Sequence, residues 1–212
     1  MNKRARAGSR SPDSVSRRDV LEGGAAAIAC AFVSASTVRL AEAATPEVFT
    51  PKERHCLEAI VARIIPTDAN GPGALESGCA AYIESSLWDA YRSQQPTYTA
   101  GLAALDSYAM TSCGKVFAAL DGAQQDKILS DFERGTKVGE YAGSGAFFGM
   151  VRQHTLEGMF GDPSYGGNVN FAGWDLIGYP GVRMYTSPEL QQLGAAIPRT
   201  RVSAEELMHG SH

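Results

Sequence analysis

Apolar positions recur along this chain with the period of a helix, and the recurrence stops near residue 160. In FTPKERHCLEAIVARIIPTD, Leu57, Ile60, Val61 and Ile64 share one helical face. Thr50 stands at the N-cap, Pro51 at the first helical position and Glu53 completes a capping box, while Pro66 ends the element. ANGPGAL reads as a turn. A second helix is expected from about Leu75 to Tyr91, with Tyr82, Ile83 and Leu87 inward, and a third from about Tyr98 to Cys113. Asp121 and Gln124 form another capping box before a helix carrying Ile128, Leu129 and Phe132 inward and stopping at Gly135. SGAFFGMVRQHTLEGMF, with Ser144 as its cap, reads as the longest and most apolar helix, and a short capped helix closes the chain at Ser203 to Met208. No run of alternating β-branched residues occurs. The pattern predicts an all-α fold, a single irregular domain of about five helices.

From Gly161 to about Ser187 neither period holds, and glycine, proline and aromatic residues crowd together. A structureless run of this length is functional or disordered, and disordered segments avoid aromatics, so an ordered arm is expected. Gly166, Gly167 and Gly181 suit positive φ, and Asp162-Pro163 and Tyr179-Pro180 set turns. Tyr165, Phe171, Trp174, Tyr179 and Tyr185 then either face a partner, as Tyr and Trp do at interface hot spots, or pack back onto the helices.

Composition changes the picture mainly at the N-terminus. Apolar residues make up 44% and charged residues 20% of 212 positions, ordinary for one globular domain. Residues 1–43 carry seven Lys/Arg against four Asp/Glu, and the remainder carries 12 against 19, a net charge of −7. An acidic body argues against nucleic-acid binding. The basic front, SRRDVLE with Arg17 and Arg18, the modestly apolar GGAAAIACAFVSA and the small exit residues Ala41-Glu42-Ala43 read as a twin-arginine export signal over residues 1–43, leaving a domain of 44–212 in the periplasm. Val20 and Glu22 replace the usual Phe and Lys, and the apolar run is too short for a membrane span. Three cysteines remain after the leader, Cys56, Cys79 and Cys113, so at most one internal bridge can form, and their spacings fit no zinc, iron–sulfur or haem motif.

Candidate chemistry is sparse. GSGAFFG (Gly143 to Gly149) is one residue out of register for a dinucleotide fingerprint and follows no strand. His154 and Glu157 share a helix face and could be half of a carboxylate-bridged metal site, but such a site draws further Glu and Glu-x-x-His groups from neighbouring helices, and beyond His55 the remaining histidines, His209 and His212, lie in the C-terminal tail. The competing reading has Arg152, His154, Glu157 and Asp162 fixing the helix and the arm by hydrogen bonds. No catalytic, cofactor or metal residue is assigned.

FFGMVRQHTLEGMFGDPSYGGNVNFAGWDLIGYPG (Phe147 to Gly181) resembles the C-terminal block of the gluconate 2-dehydrogenase subunit 3 family, and the likeness extends upstream through LEAIVARIIPTDANGPGALESGCAAYI. The Val169-Asn170-Phe171 insert and the tail after Ser187 depart from that pattern. The resemblance implies a small exported, non-catalytic subunit without a cofactor of its own. Its implied partner is a large FAD-dependent dehydrogenase of the glucose–methanol–choline type, often with a multihaem cytochrome c subunit through which the complex would meet the inner membrane. It also implies a docking surface on the arm, with Tyr165, Gly166, Gly167, Asn168, Trp174 and Tyr179 as contacts. The rival expectation is a self-sufficient exported enzyme, with metal dependence left open, built on His154 and Glu157.

Overall fold

The computed structural model describes residues 47–210. Arg17, Arg18 and the rest of the expected export signal lie outside them. Seven α-helices occur among the described residues: α1 (Pro51–Ile64), α2 (Cys79–Trp88), α3 (Gln95–Cys113), α4 (Gly122–Glu133), α5 (Ser144–Phe160), α6 (Ala172–Ile177) and α7 (Ala204–His209). Pairing of β type is confined among these residues to two isolated bridges, Asp68–Gly71 and Val138–Tyr141, each closing a tight turn. The fold is all-α, with five main helices forming the body.

Local chemistry sets most boundaries. Thr50 Oγ1 accepts from the Glu53 N–H while the Glu53 carboxylate accepts from the Thr50 N–H at 2.9 Å, and Asp121 with Gln124 and Ser203 with Glu206 repeat the arrangement. Gly135 takes φ 78° just beyond α4, the left-handed stop expected of it. Other ends differ from expectation. α2 starts at Cys79, four residues late, because Gly78 at φ 79° breaks the preceding turn. α3 begins at Gln95, with Pro96 in its first turn, which makes it the longest helix at 19 residues against 17 for α5. Ser144 does not cap α5. It is the first helical residue, fully buried, and its Oγ donates to the Thr136 carbonyl at 2.7 Å. GSGAFFG is thus the entry of a helix lying against α4, with no strand before it.

α5 is the central element and packs against all four other body helices, most extensively against α2 and α4. Phe147, Val151 and Met159 from α5 meet Leu57, Ile60 and Val61 of α1, Ile83 and Leu87 of α2, Tyr98, Leu102 and Leu105 of α3, and Ile128 and Phe132 of α4 in one buried cluster. Asp106 joins the layers by accepting from the Phe117 N–H at 3.0 Å and from Lys52 Nζ at 3.0 Å. Cys56, Cys79 and Cys113 are free thiols. Burial pushes Cys79 up to about 12 and Cys56 higher still, so both behave as small apolar core residues. No described helix is long and apolar enough to cross a membrane.

Candidate functional site: the arm clasped to the end of α5

A helix ends with four carbonyls that lack intrahelical donors. At the end of α5 the arm supplies donors to two of them and to the carbonyl of the cap residue Gly161. The Asn168 N–H donates to the Gly158 carbonyl at 2.7 Å, Asn168 Nδ2 to the Gly161 carbonyl at 2.9 Å, and Trp174 Nε1 to the Phe160 carbonyl at 2.9 Å. Asn168 Oδ1 in turn accepts from the Gly173 N–H at 2.8 Å. This brings backbone onto backbone, and two glycines permit the approach. A Cβ on Gly167 would overlap the Gly158 carbonyl, and one on Gly173 would overlap the Met159 carbonyl oxygen. The Val169 N–H donates to the Ser77 carbonyl at 3.1 Å, which ties the same segment to the start of α2.

Three members of the expected docking set, Gly167, Asn168 and Trp174, are used within the chain. Trp174 is 5% exposed and Asn168 0%, and Gly167 is buried. Their side chains or backbone serve α5, because an indole N–H and a carboxamide are the donors that orphan carbonyls need. Trp174 also packs edge-on to Tyr179 at 4.7 Å and beside Phe171 at 5.5 Å. Tyr165 and Gly166 are exposed, and Tyr179 keeps 41% of its surface open. Gly166 and Gly181 do adopt positive φ, at 91° and 93°, whereas Gly167 serves close approach. The arm is also less irregular than expected, because short 3-10 turns at Pro163–Tyr165 and Val169–Phe171 lead into α6.

Asp162 sits at the root of the arm. Its carboxylate accepts from the Ser164 N–H at 3.0 Å and the Ala204 N–H at 2.7 Å, the latter at the first residue of α7. Burial pushes its carboxyl up, but these hydrogen bonds outweigh burial and hold it below the usual aspartate range. The other residues expected to fix the arm do not reach it. Arg152 is exposed and makes no hydrogen bond or ion pair among the described residues. His154 is buried in the body, stacked on Tyr91 at 4.5 Å and hydrogen-bonded through Nδ1 to Tyr98 Oη at 2.9 Å, and burial pushes its pKa down. Glu157 accepts from Tyr82 Oη at 3.3 Å, Tyr91 Oη at 3.1 Å and Gln153 Nε2 at 3.0 Å. His154 and Glu157 therefore join α5 to α2, α3 and the Tyr91 turn. No group of three or more His, Cys, Asp or Glu side chains among the described residues is placed to hold a metal ion.

Sequence reasoning missed the partners of Glu157, and it missed Asp175 of α6, which pairs with Arg199 at 3.3 Å and with Arg201. One signal was available. Gly158 interrupts a helix interior, where glycine costs about 1 kcal/mol against alanine, and so marks a close approach.

Neither a curated protein nor a solved structure matches the chain. A model of the family described as gluconate 2-dehydrogenase subunit 3 matches residues 51–181. That span takes in the five body helices and the whole Asn168–Trp174 clasp. It exceeds half of the 212 residues, and the chain belongs to the gluconate 2-dehydrogenase subunit 3 family.

Proposed function

We propose that this chain is the non-catalytic small subunit of a periplasmic FAD-dependent dehydrogenase complex, and that it aids export, maturation and stability of the flavin-bearing subunit. The large subunit would belong to the glucose–methanol–choline type and a cytochrome c subunit would receive its electrons. Arg17 and Arg18 would carry the folded pair through the twin-arginine route.

One observation carries the docking part of this reading. Thirteen large apolar side chains are exposed among the described residues, and ten of them lie at or beyond Tyr165. Exposed apolar side chains gathered on one segment mark an interaction surface. The clasp fixes the backbone from Asn168 to Trp174, so a partner would meet Tyr165 and Tyr179 beside it with little ordering cost, and Met184 and Tyr185 further along the chain. Trp174 and Asn168 would support the surface from beneath.

The test is co-purification from the native host under mild conditions, using a tag on this chain. A co-purifying polypeptide of dehydrogenase size with a flavin absorption spectrum, lost from the periplasm when Arg17 and Arg18 are both changed to lysine, is expected. A lone colourless chain that nevertheless oxidises a substrate would overturn the proposal.

A further inference from the structure

A cleft of about 480 Å³ opens between the end of α2 and the first turn of the arm. Its walls include Tyr82, Ser86, Asp89, Tyr91, Ser164 and Tyr165. Among those walls Tyr82 and Tyr91 have committed their protons, while the hydroxyls of Ser86, Ser164 and Tyr165 can donate or accept. Tyr82 Oη and Tyr91 Oη both donate to Glu157 Oε2. A phenol has a single proton, so both oxygens present only lone pairs to anything entering the cleft. The Asp89 carboxylate likewise only accepts. The adjacent cation in the chain, Arg92, has its guanidinium over the Trp88 ring, 5.4 Å from the centroid. A phenol that donates to a carboxylate also has a more electron-rich ring, which strengthens its attraction for a cation. Tyr165, 68% exposed, supplies a third ring from the arm side.

A cavity walled by tyrosines, with two phenol protons already committed and a carboxylate at its edge, suits a ligand that donates and is positive. We propose that this cleft receives a guanidinium group, and that in the assembled complex it is filled by an arginine side chain of the dehydrogenase subunit. Charge complementarity selects the occupant: an anion meets Asp89 with Glu157 behind it, and a neutral polyol, although the serine hydroxyls can meet it, gains nothing from the Asp89 charge. Arginine fits better than lysine because its planar group stacks on a ring while its in-plane N–H groups reach carboxylate and phenol oxygens. The inference rests on the subunit reading above and adds to it the chemistry of one contact.

Two measurements decide it. In the first, the full-length chain is titrated with N-acetyl-arginine amide and with the neutral isostere N-acetyl-citrulline amide, following backbone NMR signals of residues 85–91 and 164–165. Saturable shifts are expected for the arginine amide, about ten-fold tighter than for the citrulline amide, and weakened by Asp89→Asn and by Tyr165→Ala. Both substituted residues are exposed, so the fold is retained. Equal binding of the two amides, tighter binding of sorbitol, or indifference to both variants overturns the inference. In the second, Asp89→Lys is expected to lower the affinity for the co-purified dehydrogenase subunit about ten-fold or more. An unchanged affinity defeats the inference and leaves the subunit reading standing. A wild-type chain that captures no flavin subunit at all defeats the subunit reading instead.

Discussion

Between Phe49 and Met159 the chain buries 23 apolar side chains in one cluster, whereas beyond Gly161, among the described residues, Trp174 alone is added to the buried apolar residues. The body is held by packed area. The arm is held by hydrogen bonds to the spent end of a body helix, by the two glycines that let it approach, and by carboxylates at its root and on α6. Burial of a large side chain contributes about 1.5–3 kcal/mol and a hydrogen bond about 0.5–1.5 kcal/mol net. The same chain length therefore contributes far less to stability in the arm than in the body. On the subunit reading proposed above, a region that exposes its apolar residues while fixing its backbone would be suited to contact.

The largest expected effect comes from breaking the body. Phe132, 1% exposed, packs among Phe147 and Tyr108 at the α4–α5 contact. Phe132→Ala is expected to cost about 3–5 kcal/mol in denaturant unfolding. Met184→Ala, at an 80% exposed arm position, is expected to stay within about 0.5 kcal/mol. Comparable losses at the two positions would erase the distinction between body and arm.

The clasp comes next. Asn168→Ala removes the partner of the buried Gly173 N–H, whose orphaning costs about 1–3 kcal/mol, and that of the part-buried Gly161 carbonyl. Hydrogen exchange is expected to rise across residues 161–181 while α1 to α4 keep their protection. Trp174→Phe keeps a ring but strips the donor from the Phe160 carbonyl, so it should show the same regional loosening at roughly half the size. Uniform loss of protection throughout the chain would show the arm to be an integral part of the core.

Asp162 gives a smaller effect with a defined pH dependence. Its folded carboxyl titrates below the unfolded value of about 3.9. Its contribution is therefore complete above that value and disappears as pH falls through the lower folded value. Proteolytic nicking near Ala204 is expected to rise on acidification below about pH 4. The Asp162→Asn variant, which cannot ionise, should lack that added acid sensitivity. An identical acid profile in both proteins would remove Asp162 from the attachment of α7.

The contrast also explains what could be read from residues alone. Thr50/Glu53, Asp121/Gln124 and Ser203/Glu206 announce helix starts through local rules, and the period of Leu57, Ile60 and Val61 announces a buried face. The PSYGGN and GWD stretches mark the arm as ordered and point to the family. What Asn168 and Trp174 do was hidden, because their partners are carbonyls of α5 and every backbone carbonyl looks alike in a sequence. His154 and Glu157 look like ligands at i and i+3, yet tertiary packing gives one to Tyr98 and Tyr91 and the other to Tyr82 and Tyr91. The cleft between Tyr82, Tyr91 and Tyr165 joins residues over 70 positions apart, a juxtaposition that no local pattern encodes.

The weakest link should be the ionic one. Asp175 is paired with Arg199 and Arg201, both about half exposed, and exposed pairs contribute about 0–1 kcal/mol. The same returning segment is also joined by backbone bonds, from the Thr200 N–H to the Pro180 carbonyl at 2.8 Å and from the Val182 N–H to the Val202 carbonyl at 3.3 Å. Arg201→Ala is therefore expected to cost less than about 1 kcal/mol and to raise exchange only near residues 199–203. Raising salt from about 0.05 to about 0.5 M should reproduce most of that change in the wild type, since screening shortens the reach of exposed charges to a few ångströms. The Asn168 clasp, made of buried neutral groups, should not respond. A salt response at residues 161–174 as large as that at 199–203 would mean that charge pairing on the surface, and not the capping of α5, is what keeps the arm in place.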